Sequence, residues 1–394
     1  MASALDPKDR GSQSLTETLK AYTDKGYEIS FVTYRKHKRD PNYFYENKKH
    51  LSLKNFHYFS LGLPLEFLMG VPVLRRIVTS VFFPVMAALK FREITHGNVD
   101  ILYGYEVGGV LACFLIRFFH RLPVLSRFQG TVLYPYLGNW GIIKYLDHVL
   151  AFKCPSDMII MTNDGTRGNA VLERLGADTG KIRFWINGVD KELYDPQYKN
   201  WIRGEYGLRK STKILLTVSR LVNWKRVDRA INVLKYASSK VDTVLVVVGD
   251  GPEKENLMSL ARKKGVADKV IFTGSVPHSE TKRFLNSCDI FLSLYDLSNL
   301  SNPVLEAMSC GRCVVALDRG EMGDVIENDR DGVLVKFENR GRMGPVVLDL
   351  LADEKKIETI GENAFAKSKK YLWSWEERMA TEVKEVQVLI KSNG

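Results

Sequence analysis

The stretch DIFLSLYDLSNLSNPVLEAMSCGRCVVALDRG, Asp289–Gly320, decides the fold. Ile290 to Leu294 is an apolar run of strand length, and a polar loop rich in Ser and Asn follows it. Asn302 then reads as an N-cap and Pro303 as the first helical residue, where its missing N–H leaves nothing unpaired. Glu306 falls one turn inside this helix, Gly311 is placed to stop it, and Cys313–Leu317 supplies a second buried strand. The loop of this strand–loop–helix–strand unit sits at the C-terminal end of its first strand. In open parallel sheets that end carries the ligand crevice. The bare N–H groups and dipole of a helix start favour a phosphate, and a carboxylate one turn in suits the two hydroxyls of a ribose. Taken alone, the stretch also reads as a capped helix with a solvated glutamate.

The flanking sequence keeps the same α/β rhythm. Ile214–Val218 is a strand, and Ser219-Arg220-Leu221 and Trp224-Lys225 precede a helix expected to start near Val227. Arg220 and Lys225 share one strand-to-helix loop and can converge on a diphosphate, the first as a planar fork and the second as a point charge. Thr243–Val248 ends in the turn Gly249-Asp-Gly251-Pro252, which leaves room for a ligand. Val270–Phe272 leads into Thr273-Gly-Ser-Val276-Pro277. Toward the N-terminus, Leu15, Leu19 and Tyr22 have helical spacing, with Gly26 as a stop and Ile29–Val32 as a strand. Further strands are expected at Asp100–Tyr103, Pro123–Phe128, Met158–Met161 and Ile182–Ile186, and Thr162–Thr166 reads as a cap and turn. The segment Phe59–Phe91 is apolar, and Pro64, Pro72 and Pro84 are expected to break it into short helices.

Composition bounds the possibilities. At 394 residues, with 45% hydrophobic and 26% charged residues, the chain suits two or three globular domains at roughly 150 residues each. The longest uncharged apolar run, Ile77–Leu89, is too short to span a bilayer, which takes about 20 residues. A net charge of +11 points to an anionic partner. An anionic sugar nucleotide or an acidic membrane surface accounts for it, and no motif supports nucleic acid. The five cysteines form no regular framework, and Cys310-Gly-Arg-Cys313 has no second pair to complete a zinc site. The seven histidines are scattered without metal-ligand spacing and read as structural. Arg35–Lys49 is a basic run interleaved with Tyr43, Phe44 and Tyr45, and beside the apolar segment near Phe82 and Phe83 it suggests a membrane-touching surface.

The segment Asn302-Pro-Val-Leu-Glu306-Ala-Met308 with Cys310-Gly and Val314-Val-Ala resembles the C-terminal signature of family 4 glycosyltransferases, retaining enzymes of the GT-B fold. The box Asn187-Gly-Val-Asp190 resembles that family's interdomain junction, and the loop at Thr273–Pro277 its base-cradling loop. The resemblance implies two Rossmann-like doubly wound domains facing across a cleft, with an acceptor-side domain over 1–186 and a nucleotide-sugar domain over 187–370. A final helix over 371–394 would cross back to the first domain. It implies Arg220, Lys225 and Glu306 as catalytic residues, with Arg220 and Lys225 on the diphosphate and Glu306 on the ribose. Gly11, Gly251, Val276, Ser298, Asn299, Ser301, Asn302 and Pro303 would bind the donor, and Gln129, Gly130 and Asn163 would line the sugar and acceptor side. The donor would be a nucleoside-diphosphate sugar, UDP-sugars favoured, with no cofactor and no metal. The acceptor would be a hydroxyl of a glycan or lipid-linked molecule, and the protein would work in the cytoplasm or on the cytoplasmic membrane face.

The chain departs from the family pattern twice. Ser298 stands where the first of two glutamates, eight residues apart, is usual, and Gln129 stands where a histidine is common. Gln cannot take up a proton near neutral pH, which excludes it as a general base. The resemblance tolerates this, because its retaining mechanism uses front-face attack with the donor phosphate as base. The departures also admit a non-catalytic sugar-nucleotide-binding subunit, and the fold admits an epimerase or a phosphorylase. Ahead of Gly11-Ser12, only Ser3–Leu5 offers a remnant of the expected first strand, so a natural start upstream of Met1 is expected.

Overall fold

The computed structural model describes residues 13–34, 53, 55–61, 76–96 and 98–393. The expected first-strand remnant, Gly11, the basic run Arg35–Lys49, Pro64 and Pro72 lie outside the described residues. The chain divides into two compact units. One takes the chain up to Asn163 together with Arg167–Asn187 and the segment from Trp375 onward, and the other takes Asp164–Thr166 and Gly188–Ser374.

The second unit is built on a parallel sheet of six strands. These are β7 Lys213–Val218, β8 Thr243–Val248, β9 Val270–Gly274, β10 Ile290–Ser293, β11 Cys313–Asp318 and β12 Val333–Lys336. Their order across the sheet is β12-β11-β10-β7-β8-β9. The β7–β10 pairing, with Ile290 opposite Leu215, marks where the strand order reverses. That is the doubly wound arrangement, and its ligand crevice opens at this reversal, beyond the C-terminal ends of the two strands. Strands such as TVLVVV are buried along their whole length, as expected when helices cover both faces. Leu215, Leu245, Val247, Leu292 and Val315 pack with Ile231 and Leu234 of the helix Val227–Ala237 and with Val347 of Met343–Leu351.

In the first unit, β3 Leu102–Tyr105, β4 Val124–Phe128, β5 Met158–Thr162 and β6 Ile182–Trp185 form a parallel sheet in sequence order. A separate parallel ladder joins β1 Ile29–Tyr34 to β2 Phe56–Leu61. Strand β2 corrects the reading of its last three residues, Phe59–Leu61, as the start of a segment broken into short helices. Its period of two, with Phe56 buried and His57 exposed, was masked by the surrounding aromatic run. Pro84 does not break the chain either. A π-helical turn over Val78–Phe82 runs directly into the helix Phe83–Thr95. A proline ring clashes with the carbonyl four residues back, and the widened turn relieves that clash without ending the helix.

The helix Trp375–Asn393 is pinned to the first unit by charge as well as by packing. Glu382 accepts from Arg127 at 3.1 Å and from Arg378 at 3.0 Å, and all three side chains are fully buried. Tyr103 Oη donates to Glu382 at 2.7 Å, and Thr18 and Tyr103 also contact the Arg127 guanidinium. Burial alone would raise the Glu382 carboxyl, but Arg127 and Arg378 hold it below its ordinary range.

Candidate donor site at the strand-order reversal

The site forms where the loops after β7 and β10 meet. The first loop is shaped by close backbone approach. Leu221 N donates to Asp250 O at 2.9 Å, and Glu253 N donates to Leu221 O at 3.1 Å. A Cβ at Gly249 would fall 1.9 Å from Ser219 O, and one at Gly251 would fall 2.3 Å from Leu221 O. The expected space at the Gly249–Pro252 turn is therefore filled by the loop carrying Arg220, and these glycines shape the site from behind. Arg220 itself is exposed.

Lys225 ends a short 3₁₀ turn just before the helix at Val227 and is only 8% exposed. Its Nζ donates to Ser298 O at 3.1 Å and lies 4.1 Å from the centre of the Tyr295 ring and 4.7 Å from that of Trp224. Burial pushes the ammonium down to about 7, with Arg220 adding to the effect and Asp164 opposing it. A buried cation resting on one carbonyl and two ring faces lacks the carboxylate hydrogen bonds that normally accompany one.

The second loop holds an uncommon conformation. Ser298 has φ +57, a left-handed backbone that non-glycine residues seldom adopt outside turns and functional sites. Asn299 and Ser301 follow. Asn299 is buried, and Asn299 Oδ1 and Ser301 Oγ have no hydrogen-bond partner among the described residues. The helix begins at Asn302, so Ser301 occupies the cap position that the sequence assigned to Asn302, and Pro303 is its second residue. Ser301 has extended cap geometry, yet its side chain makes no capping bond, which leaves that hydroxyl available to a ligand. The loop is braced from below by Asp296, which accepts from Arg226 at 2.8 Å and from Arg229 at 2.6 Å.

Glu306 lies one turn into this helix and is 3% exposed. Its Oε1 stands 2.9 Å from His278 Nε2, at the start of the helix that follows Val276. His278 had been set aside with the other histidines. Its signal was its place two residues after Val276, which no metal-spacing rule detects. Val276 is half-buried in the loop ahead of that helix. The structure thus brings Lys225, Ser298, Asn299 and Ser301 into one constellation, with Arg220 in the same loop as Lys225 and Glu306 on the helix that begins beside Ser301.

Gln129, Gly130 and Asn163 lie in the first unit, past the ends of β4 and β5. Gln129 N donates to Glu106 Oε1 at 2.8 Å, and Asn187 Nδ2 approaches Gln129 Oε1 at 3.5 Å. Glu106, at φ +61, was missed because a lone glutamate at a helix start carries no motif. The cysteines of Cys310-Gly-Arg-Cys313 are buried and free, and burial raises both thiols, so neither is a ready nucleophile.

Residues 199–367 match the family described as glycosyl transferases group 1. The chain is 25% identical over 358 residues to an N-acetyl-alpha-D-glucosaminyl L-malate synthase of Bacillus anthracis, covering 89% of this chain and 86% of that relative. It is 32% identical over 184 residues to a GDP-mannose-dependent alpha-(1-6)-phosphatidylinositol monomannoside mannosyltransferase of Mycolicibacterium smegmatis, covering 44% of this chain. It spans 48% of that enzyme's length, and 58% of the sulfoquinovosyl transferase SQD2 of Arabidopsis thaliana. Among solved structures, a sucrose-phosphate synthase from Thermosynechococcus elongatus superposes with TM-score 0.76 at 16% identity, over 99% of this chain and 98% of that one. HepE of Anabaena in complex with UDP-glucose gives TM-score 0.73 at 17% identity, over 94% and 95%. Residues 199–367 thus form a domain of the group 1 glycosyl transferase type, and the chain as a whole has the GT-B fold.

Proposed function

We propose that this chain moves a sugar from a nucleoside-diphosphate donor, a UDP-sugar by preference, to a hydroxyl of a glycan or lipid-linked acceptor with retention at the anomeric carbon. The observation that carries the reading is the buried Lys225 ammonium on the Ser298 carbonyl, in a loop whose Asn299 Oδ1 and Ser301 Oγ lack a partner among the described residues. Buried polar atoms are nearly always hydrogen-bonded, so this group in one loop marks ligand contacts. Lys225 and Arg220 would bear on the diphosphate, with the helix start at Ser301 adding N–H donors. Glu306, oriented by His278, would take the ribose hydroxyls, and Val276 would line the base. Asn299, Ser301 and Ser298 would meet the sugar. Gln129, Gly130 and Asn163 would serve the sugar and acceptor side.

In the transfer step, the bond from the anomeric carbon to the diphosphate oxygen breaks while the acceptor oxygen bonds to the same face. The acceptor proton passes to the departing phosphate oxygen. No side-chain base is required, which suits Gln129. Negative charge grows on the diphosphate as the bond lengthens, so cations fixed there act on the transition state more than on the bound donor. A panel of nucleotide sugars assayed for released nucleoside diphosphate tests the reading. Acceptor-dependent UDP release supports it, whereas binding without release points to a sugar-nucleotide-binding subunit. Conversion of the donor sugar without an acceptor points to an epimerase.

A peripheral membrane contact through the first unit belongs to the same reading. Among the described residues, no helix is long and apolar enough to cross a membrane. Ile77, Val81, Val85 and Leu89, spaced four apart, are all exposed along one helical segment, and so are Trp140, Ile143, Leu146 and Leu150 on another. Phe83 is a correction to the sequence reading, because it packs inward with Val78, Ala87 and Ala112.

A further inference from the structure

The Lys225 ammonium is seated on aromatic faces from two loops. Its Nζ lies 4.1 Å from the centre of the Tyr295 ring, in the loop after β10, and 4.7 Å from that of its own neighbour Trp224. Tyr295 is 1% exposed, and its Oη donates at 3.1 Å to Val218 O at the end of β7, which fixes the ring. Asp296 N donates to Trp224 O at 2.9 Å, so the backbone ties the two ring-bearing loops together. Burial pushes the Tyr295 phenol up to about 12, so this ring faces Lys225 as a neutral group. The charged groups that bear on Lys225 are Asp164, which supports its ammonium, and Arg220, which opposes it. Asp296, next to Tyr295, is taken up by Arg226 at 2.8 Å and by Arg229 at 2.6 Å.

An aromatic face attracts a cation through its quadrupole, and the attraction grows where water is excluded. It does not cancel the charge as a carboxylate would. An ammonium has three donors, and the Ser298 carbonyl takes one of them at 3.1 Å. A seat of rings therefore leaves Lys225 its positive charge and further donors for an arriving anion. We propose that Tyr295 and Trp224 are positioning residues for sugar transfer: their rings hold the Lys225 ammonium in place and charged, where a carboxylate would neutralise it before the donor's diphosphate arrives. The proposal rests on Lys225 serving that diphosphate. In this role the rings act through Lys225 and not on the reacting atoms. Burial lowers the ammonium to about 7, so a modest loss of support deprotonates it in the neutral range.

The test is the Kd for UDP against pH for wild type, Tyr295→Leu, Tyr295→Phe, Trp224→Leu and Lys225→Ala, each checked for folding by its melting temperature. Wild-type affinity should fall on the alkaline side as Lys225 loses its proton near pH 7. Tyr295→Leu removes the ring, so that fall should begin at lower pH. A displacement of one pH unit weakens UDP about ten-fold on the alkaline side, and the two profiles should draw together at acid pH, where both ammonium groups are charged. Tyr295→Phe keeps the ring and drops only the bond to Val218 O, so its alkaline limb should stay at the wild-type pH. Trp224→Leu, at a half-buried position, should move the limb in the same direction, and it decides alone if Tyr295→Leu does not fold. An unmoved limb in the deciding variant, or a loss that is the same at every pH, means that the rings only pack, and it overturns the proposal. A limb displaced as far in Tyr295→Phe as in Tyr295→Leu also overturns it, because the hydroxyl then accounts for the effect. Lys225→Ala that binds UDP as wild type does would instead overturn the diphosphate assignment beneath it. Weak binding by Lys225→Ala with unmoved limbs in the ring variants rejects only the role of the rings.

Discussion

Two clusters of buried charge, one in each unit, show what separates a structural ion group from a functional one. In the first unit, the Glu382 carboxylate is shared by two buried guanidinium groups and a tyrosine hydroxyl, and every member comes from the protein's own core. In the second, Lys225 has one backbone carbonyl and two aromatic faces, with Asp164 as its anionic neighbour, and unpartnered polar atoms stand in the adjoining loop. The first arrangement sets a carboxylate between two guanidinium groups and fixes a helix, although Nε and Nη2 of both Arg127 and Arg378 lack a hydrogen-bond partner among the described residues. The second sets its ammonium on a backbone carbonyl, with no carboxylate hydrogen bond among the described residues. Burial is similar in the two and both leave polar atoms unanswered, so what separates them is the partner of the charge, a carboxylate in the first and a neutral carbonyl in the second.

The largest expected effect breaks the carboxylate-paired cluster. Glu382→Ala leaves Arg127 and Arg378 buried beside each other with no carboxylate, and removing one partner of a buried ion group costs about 3–5 kcal/mol. Thermal unfolding should show a large fall in melting temperature. The carboxyl of Glu382 is held below its ordinary value in the fold. Its contribution is therefore complete above the ordinary carboxylate range and drains away as pH falls through the folded value. Glu382→Gln should flatten the acid limb of melting temperature against pH. An unchanged acid limb would show that the core group titrates with its neighbours rather than through Glu382.

The Lys225 cluster should respond in the opposite way. Removing Arg220 or Lys225 takes away charge-assisted hydrogen bonds of about 1.5–3 kcal/mol, which is about 10- to 150-fold in kcat/KM. Part of that loss should appear in kcat, because charge on the diphosphate grows in the transition state. The double variant should lose less than the product of the two, since both side chains serve one group. Lys225→Met offers the sharper contrast with Glu382→Ala. The folded Lys225 gives up its proton at lower pH than an unfolded lysine, so its charged form costs stability below the folded value. Lys225→Met should melt no lower than wild type near neutral pH while transfer collapses. A clear loss of stability would mean that Lys225 is a structural group like Arg127.

A smaller effect is expected at Glu306, because ribose contacts change little during the reaction. Glu306→Gln should weaken donor binding by about ten-fold, at about 1.4 kcal/mol, and leave kcat nearly unchanged. His278→Ala frees the carboxylate without removing it and should raise the Kd for UDP by a few-fold. Equal losses in kcat would move Glu306 into the chemical step.

The second unit was far more legible in sequence than the first, and the residues say why. Strands buried on both faces, such as Thr243–Val248, read as continuous apolar runs, and the loop after β10 carries a Pro-marked helix start that survived as a signal even with the cap one residue early. What stayed hidden depends on contacts distant in sequence. Tyr295 follows the apolar run Ile290–Leu294 and reads only as its continuation, although its ring faces the Lys225 ammonium. His278 meets Glu306 across 28 residues. The glycines at 249 and 251 looked like space for a ligand and are space for a backbone loop. In the first unit, aromatic side chains obscured the period of β2, and Pro84 suggested a break that a π turn absorbs.

The smallest expected effect concerns the surface of the first unit, where engaged and unengaged apolar side chains give a second contrast. Phe83 is 6% exposed and Leu89 is 74% exposed on one helix. Phe83 has its contacts, whereas Leu89, with Ile77, Val81 and Val85, faces solvent. If this face enters the headgroup region of an anionic membrane, replacing Leu89 and Val85 by Ser removes buried apolar area on the lipid side only. Partial insertion makes each residue worth less than full burial, so vesicle partition should weaken by about 3- to 10-fold. Melting temperature should stay near wild type. Phe83→Ala should do the reverse, lowering stability without a comparable change in partition among the molecules that remain folded. High salt should weaken binding to anionic vesicles further, because exposed charges are screened beyond about 8 Å at physiological ionic strength. Equal binding to neutral and anionic vesicles would remove the electrostatic part. Partition that is indifferent to Leu89 and Val85 would show that this apolar face meets something other than lipid.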